Sequence, residues 1–355
     1  MQARSSLIVG VVVGASLLVA GAASAQSTEV VATGLNNPRG IAIAPNGDLF
    51  VAEAGTGGDE FCHTGPTGPR CYGTSGAIVR IDLRRGTVED VVTGLPSVAG
   101  GDGSGAGGPH DVSFQGQGNL FVTIGWGGEP DLREELDEYS GTMGVLGRVT
   151  ADGTYTIVSD IAAFENDENP DDDLPDSNPY GVLALPGKTI VADAGANALF
   201  EVRANGAIRT LAVFEEQPFP GGPPRDAVPT TVVRGGDGAY YVSQLTGGPF
   251  TIGAANIFRV PAEGGDPEVV ASGFTNVIDI AFAPDGGLYV LQIAEPLFNV
   301  AAAKLIHVAP DGTRTTLNVP GLVAPGGLAV AKDGTIYVTN FSIAPGGGQV
   351  LAIQP

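Results

Sequence analysis

The feature that most constrains this chain is a unit that recurs six times: a polar or proline start, an apolar strand, a glycine turn and a second apolar strand. The copies cover residues 38–54, 109–125, 179–194, 229–245, 277–293 and 325–341. Their anchors, Pro38, Pro109, Pro179, Pro229, Val277 and Pro325, are 71, 70, 50, 48 and 48 residues apart. A period near 48 accommodates four short antiparallel strands, the content of one β-propeller blade. A second hairpin follows the first, as in residues 77–81 with 88–92 and 304–308 with 313–318. Asp152-Gly153, Asn205-Gly206 and Asp311-Gly312 supply the short turns. Strands such as residues 287–291 are apolar at most positions, which implies burial on both faces, as when blades stack. The expectation is an all-β, six-bladed β-propeller with four-stranded antiparallel blades. A parallel β-helix gives no reason for antiparallel turns at this spacing.

The two ends support the same reading. After Phe341 the sixth blade has only residues 349–353 left for a third strand. Residues 29–34 (EVVATG) match the outer strands of other blades, 90–94 (DVVTG) and 269–273 (VVASG). The N-terminal strand is therefore expected to complete the last blade, closing the ring and removing an open sheet edge.

Ahead of the repeats, Arg4, an apolar run over residues 7–22 and the triplet Ala23-Ser24-Ala25 read as a secretory signal cleaved before Gln26. An uncleaved membrane anchor is the other reading of so long a run. The small-residue ending and the lack of a stop-transfer segment favour cleavage, leaving one domain over residues 26–355, secreted or in the cell envelope. Cys62 and Cys71, a close pair in an oxidising compartment, read as a disulfide. Acidic residues outnumber basic ones 39 to 17, a net charge of −22. That charge excludes nucleic acid and anionic membrane as partners, attracts cations, and also serves solubility. A monomer is expected.

Turn lengths distinguish the two faces. Every turn between the first and second strands of a blade is minimal, whereas the long segments (55–75, 97–108, 125–143, 165–178, 215–228, 246–254, 294–303 and 342–348) all fall on the opposite face. Loops carry function on a rigid scaffold, so that face is the expected binding surface. A short helix is expected within residues 131–139. The acidic run over residues 165–173 lacks EF-hand spacing and reads as a solvated loop.

Around the central channel, the second strands place Glu53, Ile124, Asp193, Gln244, Gln292 and Asn340 at equivalent positions. The first strands add Arg39, His110, Asp111, Tyr180, Thr230 and Asp279. Oxygen ligands converging on an axis suit calcium or another divalent cation, with Glu53, Asp193 and Asn340 as the candidate ligands. A hydrated polar channel is the alternative. Arg39, Asp111, Tyr180, Thr230, Gln244, Asp279 and Gln292 are the candidate binding residues. His110, next to Asp111, is the candidate proton-transfer residue. No activated Ser or Cys constellation is visible.

Asn37-Pro38-Arg39-Gly40, residues 52–58 (AEAGTGG), Gly108-Pro109-His110-Asp111, residues 175–182 (PDSNPYGV) and residues 273–282 (GFTNVIDIAF) resemble the ScyD/ScyE family over essentially the whole mature chain. That family is named for members accompanying scytonemin biosynthesis in cyanobacteria, and its many exported relatives have no established activity. The resemblance implies an exported propeller. More distantly the blades are similar to NHL repeats and gluconolactonase-type propellers. This implies a divalent cation held at the channel mouth by acidic and amide side chains, for which Glu53, Asp193 and Asn340 have suitable chemistry and Ile124 does not. Two functions follow as expectations: binding of a small molecule, glycan or protein on the loop-rich face, or a metal-dependent lactonase-type hydrolase or lyase at the channel mouth.

Overall fold

The computed structural model describes residues 27–65, 68–116, 118–219, 222–295, 299 and 302–355. The expected signal segment, residues 1–25, lies outside them. The chain forms six antiparallel sheets arranged as propeller blades. Blade 1 contains β2 (Pro38–Ile43), β3 (Leu49–Glu53), β5 (Gly68–Asp82) and β6 (Thr87–Gly100), with β4 (Phe61–Gly65) added beside β5. Blade 2 is β7 (Pro109–Gln115), β8 (Asn119–Ile124), β9 (Val145–Val149) and β10 (Tyr155–Asp160). Blade 3 is β11 (Pro179–Leu185), β12 (Lys188–Asp193), β13 (Ala198–Arg203) and β14 (Ile208–Val213). Blade 4 is β15 (Pro229–Arg234), β16 (Tyr240–Gln244), β17 (Ala255–Val260) and β18 (Glu268–Phe274). Blade 5 is β19 (Val277–Phe282), β20 (Leu288–Gln292), β21 (Lys304–Val308) and β22 (Arg314–Leu317). Blade 6 is β23 (Gly327–Val330), β24 (Ile336–Asn340), β25 (Gly348–Gln354) and β1 (Ser27–Leu35).

The expected closure forms. β1 pairs antiparallel with β25 from Ser27 opposite Gln354 to Leu35 opposite Gly348, so the N-terminal strand supplies the outer strand of blade 6 and closes the ring.

The apolar core divides by blade interface. One cluster of buried side chains joins blades 1 and 2 through Ile78, Val122 and Val145. Another joins blades 6 and 1 through Val350, Leu35, Ile41 and Val51. Corresponding clusters fill the 2/3, 3/4, 4/5 and 5/6 interfaces. This is why the strands read as continuous apolar runs: successive side chains point to opposite faces, and each face meets another blade. Each fully buried Val, Leu or Ile contributes about 1.5–3 kcal/mol.

Polar stitches at the inner strands add to these slabs. The Thr123 hydroxyl donates to the Tyr180 carbonyl of the next blade at 2.6 Å. Thr339 does the same to Arg39 across the seam at 2.7 Å, and Thr230 to Val277 at 2.9 Å. Asp111 accepts from the Val182 amide at 2.9 Å, and Asp279 from the Leu328 amide at 2.6 Å. The blades approach closely here. A β-carbon on Gly40 would lie 2.0 Å from Asp111 Oδ1, and one on Gly327 would lie 2.8 Å from the Gly40 α-carbon.

Among the described residues the helical segments are a 3-10 helix (Pro130–Thr142) in the second-blade insertion and α1 (Ile161–Glu168) after β10. The first extends the helix expected within residues 131–139. No helix among the described residues is long and apolar enough to cross a membrane. Cys62 and Cys71 form the expected disulfide, clamping the β4–β5 hairpin.

Candidate functional site

The long insertions all rise on one face, as the turn lengths imply, and they are tied down at the axis. Asn37, fully buried, donates from Nδ2 to the Gly55 and Gly103 carbonyls at 2.7 and 2.9 Å and accepts from the Gly105 amide at 3.1 Å. Arg39 donates to the Ala106 carbonyl at 2.8 Å. The Gly105 amide also reaches the Ile343 carbonyl in the last blade at 3.3 Å. Insertions from blades 1 and 6 therefore interlock over the channel mouth.

Beneath them, Arg39, His110, Asp111, Tyr180 and Asp279 come together from blades 1, 2, 3 and 5. The His110 and Tyr180 rings lie 4.6 Å apart between centroids. Burial and the Arg39 charge push His110 down to about 3, so the imidazole is neutral. Its Nδ1 is buried without a hydrogen-bond partner. Burial lifts Asp279 to about 7. Burial and the nearby Asp279 hold Asp111 well above the usual carboxylate range.

His110 and Asp111 do not form an acid–base pair. The pairing of β7 with β8 shifts register between Pro109 and Asp111, leaving His110 at a bulge, and the two side chains take different partners. The His110 ring packs toward Gly125, the Pro179 carbonyl and Tyr180, while Asp111 accepts from the Val112 and Val182 amides at 2.8 and 2.9 Å. Asp279 repeats that pattern with Ile280 and Leu328 at 2.7 and 2.6 Å. These carboxylates hold adjacent blades together. Thr230 is engaged in the stitch to Val277 and in a contact with Ser243.

The equivalent second-strand residues do sit in matching registers, but they do not converge on a shared cation. Glu53 accepts from the Asn36 amide at 2.5 Å. Gln292 accepts from Thr275 at 3.1 Å and Asn340 from Val323 at 2.7 Å. Gln244 instead accepts from the Asn256 amide at 3.0 Å. Asp193 uses both oxygens: Oδ1 accepts from the amides of Asn178, Gly195 and Ala196, and Oδ2 from the Ser177 hydroxyl. A cation needs these oxygens free and grouped. Glu53, Asp193 and Asn340 instead cap backbone amides in three different blades, and they do not fit a shared metal.

Carboxylates do group at the rim, between the insertions of blades 3 and 4. Asp173, Glu216 and Asp226 each place an oxygen within 4.8 Å of the other two. Glu165 lies within α1, not in a solvated loop, and is fully buried with both oxygens unpartnered. Burial, then Asp193, Asp171 and Asp176, push it up to about 8. Asp176 rises to about 6 through burial and the charges of Asp226, Asp171 and Glu129. The acidity of residues 165–173 was visible in the sequence. The participation of Glu216 and Asp226 was not, because it depends on a second insertion folding alongside the first.

The opposite, turn-bearing face holds a cleft of about 630 Å³ between blades 1 and 2, floored by Phe50, Phe114 and Leu120 and edged by Arg80 and Glu89. No sequence signal marked it.

No family model matches the chain, and no curated protein matches it. Solved structures do. Virginiamycin B lyase from Staphylococcus aureus matches with a TM-score of 0.53 at 12% identity, over 93% of this chain and 99% of that one. A protein provisionally named gluconolactonase matches at 0.54 and 12%, over 93% and 92%. Regucalcin from Agrobacterium tumefaciens, a calcium-binding protein, matches at 0.53 and 14%, over 92% and 93%. At such identities the likeness concerns architecture: this chain shares the six-bladed propeller fold with a lyase, a lactonase-like protein and a calcium-binding protein.

Proposed function

We propose that this chain is an exported binding propeller that takes a small molecule, glycan or protein on its insertion face. The observation that carries the reading is the interlocked platform over the channel. Asn37 and Arg39 tie the 97–108 insertion to the axis, and Gly105 ties it to the last blade. A preorganised surface loses little ordering entropy on binding. The motif resemblance to the exported ScyD/ScyE propellers extends the reading to family and compartment, with the Cys62–Cys71 disulfide supporting an oxidising one.

The test is a binding screen of the mature chain against glycan and metabolite libraries, with two variants run in parallel. Trp126→Ala removes a half-buried aromatic from the insertion face, and Asp152→Ala alters the turn-face cleft. Ligands should lose at least about tenfold in affinity with the first variant and stay within about twofold with the second. The reverse pattern would move the site to the cleft and refute the proposal.

A second reading, a hydrolase or lyase at the channel mouth, is favoured by the buried and unpartnered Nδ1 of neutral His110 beside Tyr180. It requires turnover that disappears in His110→Ala while ligand binding persists.

A further inference from the structure

One third-strand position recurs in all six blades, always opposite the same residue of the second strand. It holds Arg80 opposite Phe50, Arg148 opposite Phe121, Glu201 opposite Ile190, Arg259 opposite Tyr241, His307 opposite Tyr289 and Ala352 opposite Tyr337. Where the residue is ionisable, its own blade supplies a counter-ion. Arg80 pairs with Asp48 at 2.7 Å, Arg259 with Asp237 at 2.8 Å and His307 with Asp285 at 3.1 Å. Glu201 pairs with Lys188 and Arg209 at 2.8 and 3.0 Å. Arg148 is the exception. Among the described residues it takes part in no ion pair, and its Nε is buried without a hydrogen-bond partner.

The sequence accounts for the exception. Arg80 reaches three acids: Asp48 ahead of Leu49, Asp82 after Ile81, and Glu89 opposite it on β6. The matching positions of blade 2 hold Asn119, Thr150 and Thr156, all neutral. Two neighbouring clefts of the turn face therefore differ in charge. The cleft between blades 1 and 2 is lined by Arg80 together with Glu89, Asp90 and Asp152. A second cleft, of about 320 Å³ between blades 2 and 3, is lined by Arg148, Lys188 and Arg203, with no acid among its described lining residues. Lys188 and Arg203 share Glu201 with Arg209, so one carboxylate already serves three cations and leaves none for Arg148.

We propose that the blade 2/3 cleft binds a small organic anion whose carboxylate is held by Arg148. The planar guanidinium fork matches a carboxylate through parallel hydrogen bonds. A buried donor without a partner is costly, and an anionic ligand supplies both the missing acceptor and the missing counter-ion. Phe121, Ile157 and Val202 line the same cleft and offer an apolar wall to the hydrocarbon part of the ligand. The volume is at the small end of the roughly 300–1,000 Å³ typical of ligand pockets, which suits a compact acid. Contacts between the blades fix the walls: Gln115 Nε2 donates to the Leu185 carbonyl, and the Ser159 hydroxyl donates to the Gly206 carbonyl at 2.7 Å. A site held in this way loses little ordering entropy on binding. It lies on the face opposite the insertions and does not rest on the insertion-face reading.

The test uses the mature protein in a buffer free of carboxylates and phosphate. Benzoate is the probe and benzyl alcohol its uncharged counterpart, both followed by saturation-transfer NMR. Benzoate should bind, and benzyl alcohol should bind at least about tenfold more weakly. Arg148→Gln should weaken benzoate binding by about tenfold or more. Asn119→Asp with Thr156→Glu rebuilds around Arg148 the acids that surround Arg80, and should abolish benzoate binding without lowering the melting temperature. Arg259→Gln, at the same register in blade 4, should leave benzoate affinity within about twofold. Absence of benzoate binding, equal binding of benzyl alcohol, undiminished binding in Arg148→Gln or in the double variant, or loss of binding in Arg259→Gln would each overturn the proposal.

Discussion

The two faces of this propeller are built by different rules. On the turn face one design recurs. The Ala44 amide bonds to the Asp48 carbonyl and the Gly47 amide to the Ala44 carbonyl, and the same pair of bonds closes the turns beginning at Thr150, Arg203, Gly235, Ala283, Ala309 and Ala331. In each, an Asn or Asp side chain also accepts a nearby amide: Asn46, Asp152, Asn205, Asp237, Asp285, Asp311 and Asp333. On the insertion face, bonds such as Asn37 to Gly103, Arg39 to Ala106 and Gly346 to Asn36 join residues far apart in sequence, beside a cap that does recur, in which Glu53, Asp193, Gln292 and Asn340 each accept an amide from the chain entering the blade.

The electrostatics divide in the same way. Turn-face carboxylates such as Asp152, Asp285, Asp311 and Asp333 are held below their ordinary range, chiefly by hydrogen bonds from their own turns. Insertion-side carboxylates, Glu53, Asp111, Glu165, Asp176, Asp193, Asp226 and Asp279, are all raised, with burial as the first cause. The turn face stabilises its charges locally, as Ser104 does for Asp102 within the 97–108 insertion, whereas burial on the insertion side disfavours the charged form of the carboxylates just named. Binding sites arise where such tension can be relieved by a ligand.

The largest test of this contrast uses two glycines. Gly40→Ala would force a β-carbon into Asp111, at 2.0 Å from its Oδ1 and 2.7 Å from its α-carbon. We expect a loss of about 3–5 kcal/mol in denaturant unfolding. Gly47→Ala on the turn face meets nothing within 4 Å and should cost only the strain of its +90° φ, about 1–2 kcal/mol. Equal costs would mean that blade contact at the axis is looser than described.

Next in size is the disulfide. Replacing both Cys62 and Cys71 by Ser should lower stability by about 2–3 kcal/mol on the chain-entropy view of a short loop. A change below about 0.5 kcal/mol would show that the hairpin unfolds independently of the blades.

A third effect concerns pH. Asp279 has a folded pKa of about 7 against an ordinary value of 3.8, so the native state holds a proton that the unfolded chain releases. The stability this contributes is full below about pH 4 and is lost as pH rises through 7. Asp279→Asn should therefore flatten the fall in melting temperature between pH 5 and 8. Asp111, which shares the site with Asp279, and Tyr180 and Arg39 facing them, remain in place. His110, depressed to about 3, acts in the opposite direction: its contribution is present above about 6.5 and lost as pH falls, and it should be common to both proteins. An unchanged pH profile would remove Asp279 from the list of buried, protonated groups.

The repeated hairpins, their turns, the blade count, the closing role of β1 and the disulfide were all legible in the sequence, because each depends on residues close together or on a pattern copied six times. The side to which the insertions project was legible for the same reason. Which side chains meet was not. His110 and Asp111 are neighbours in sequence that engage different partners, the first Tyr180 and the second the Val112 and Val182 amides. Glu53, Asp193 and Asn340 share a register yet each is engaged by a backbone amide in its own blade. The carboxylates of the blade 3/4 rim come from two loops and a helix that only the closed ring brings side by side. Local hydrogen bonding and strand periodicity write architecture into the chain, whereas a site assembled from several blades exists only once burial has fixed how those blades pack.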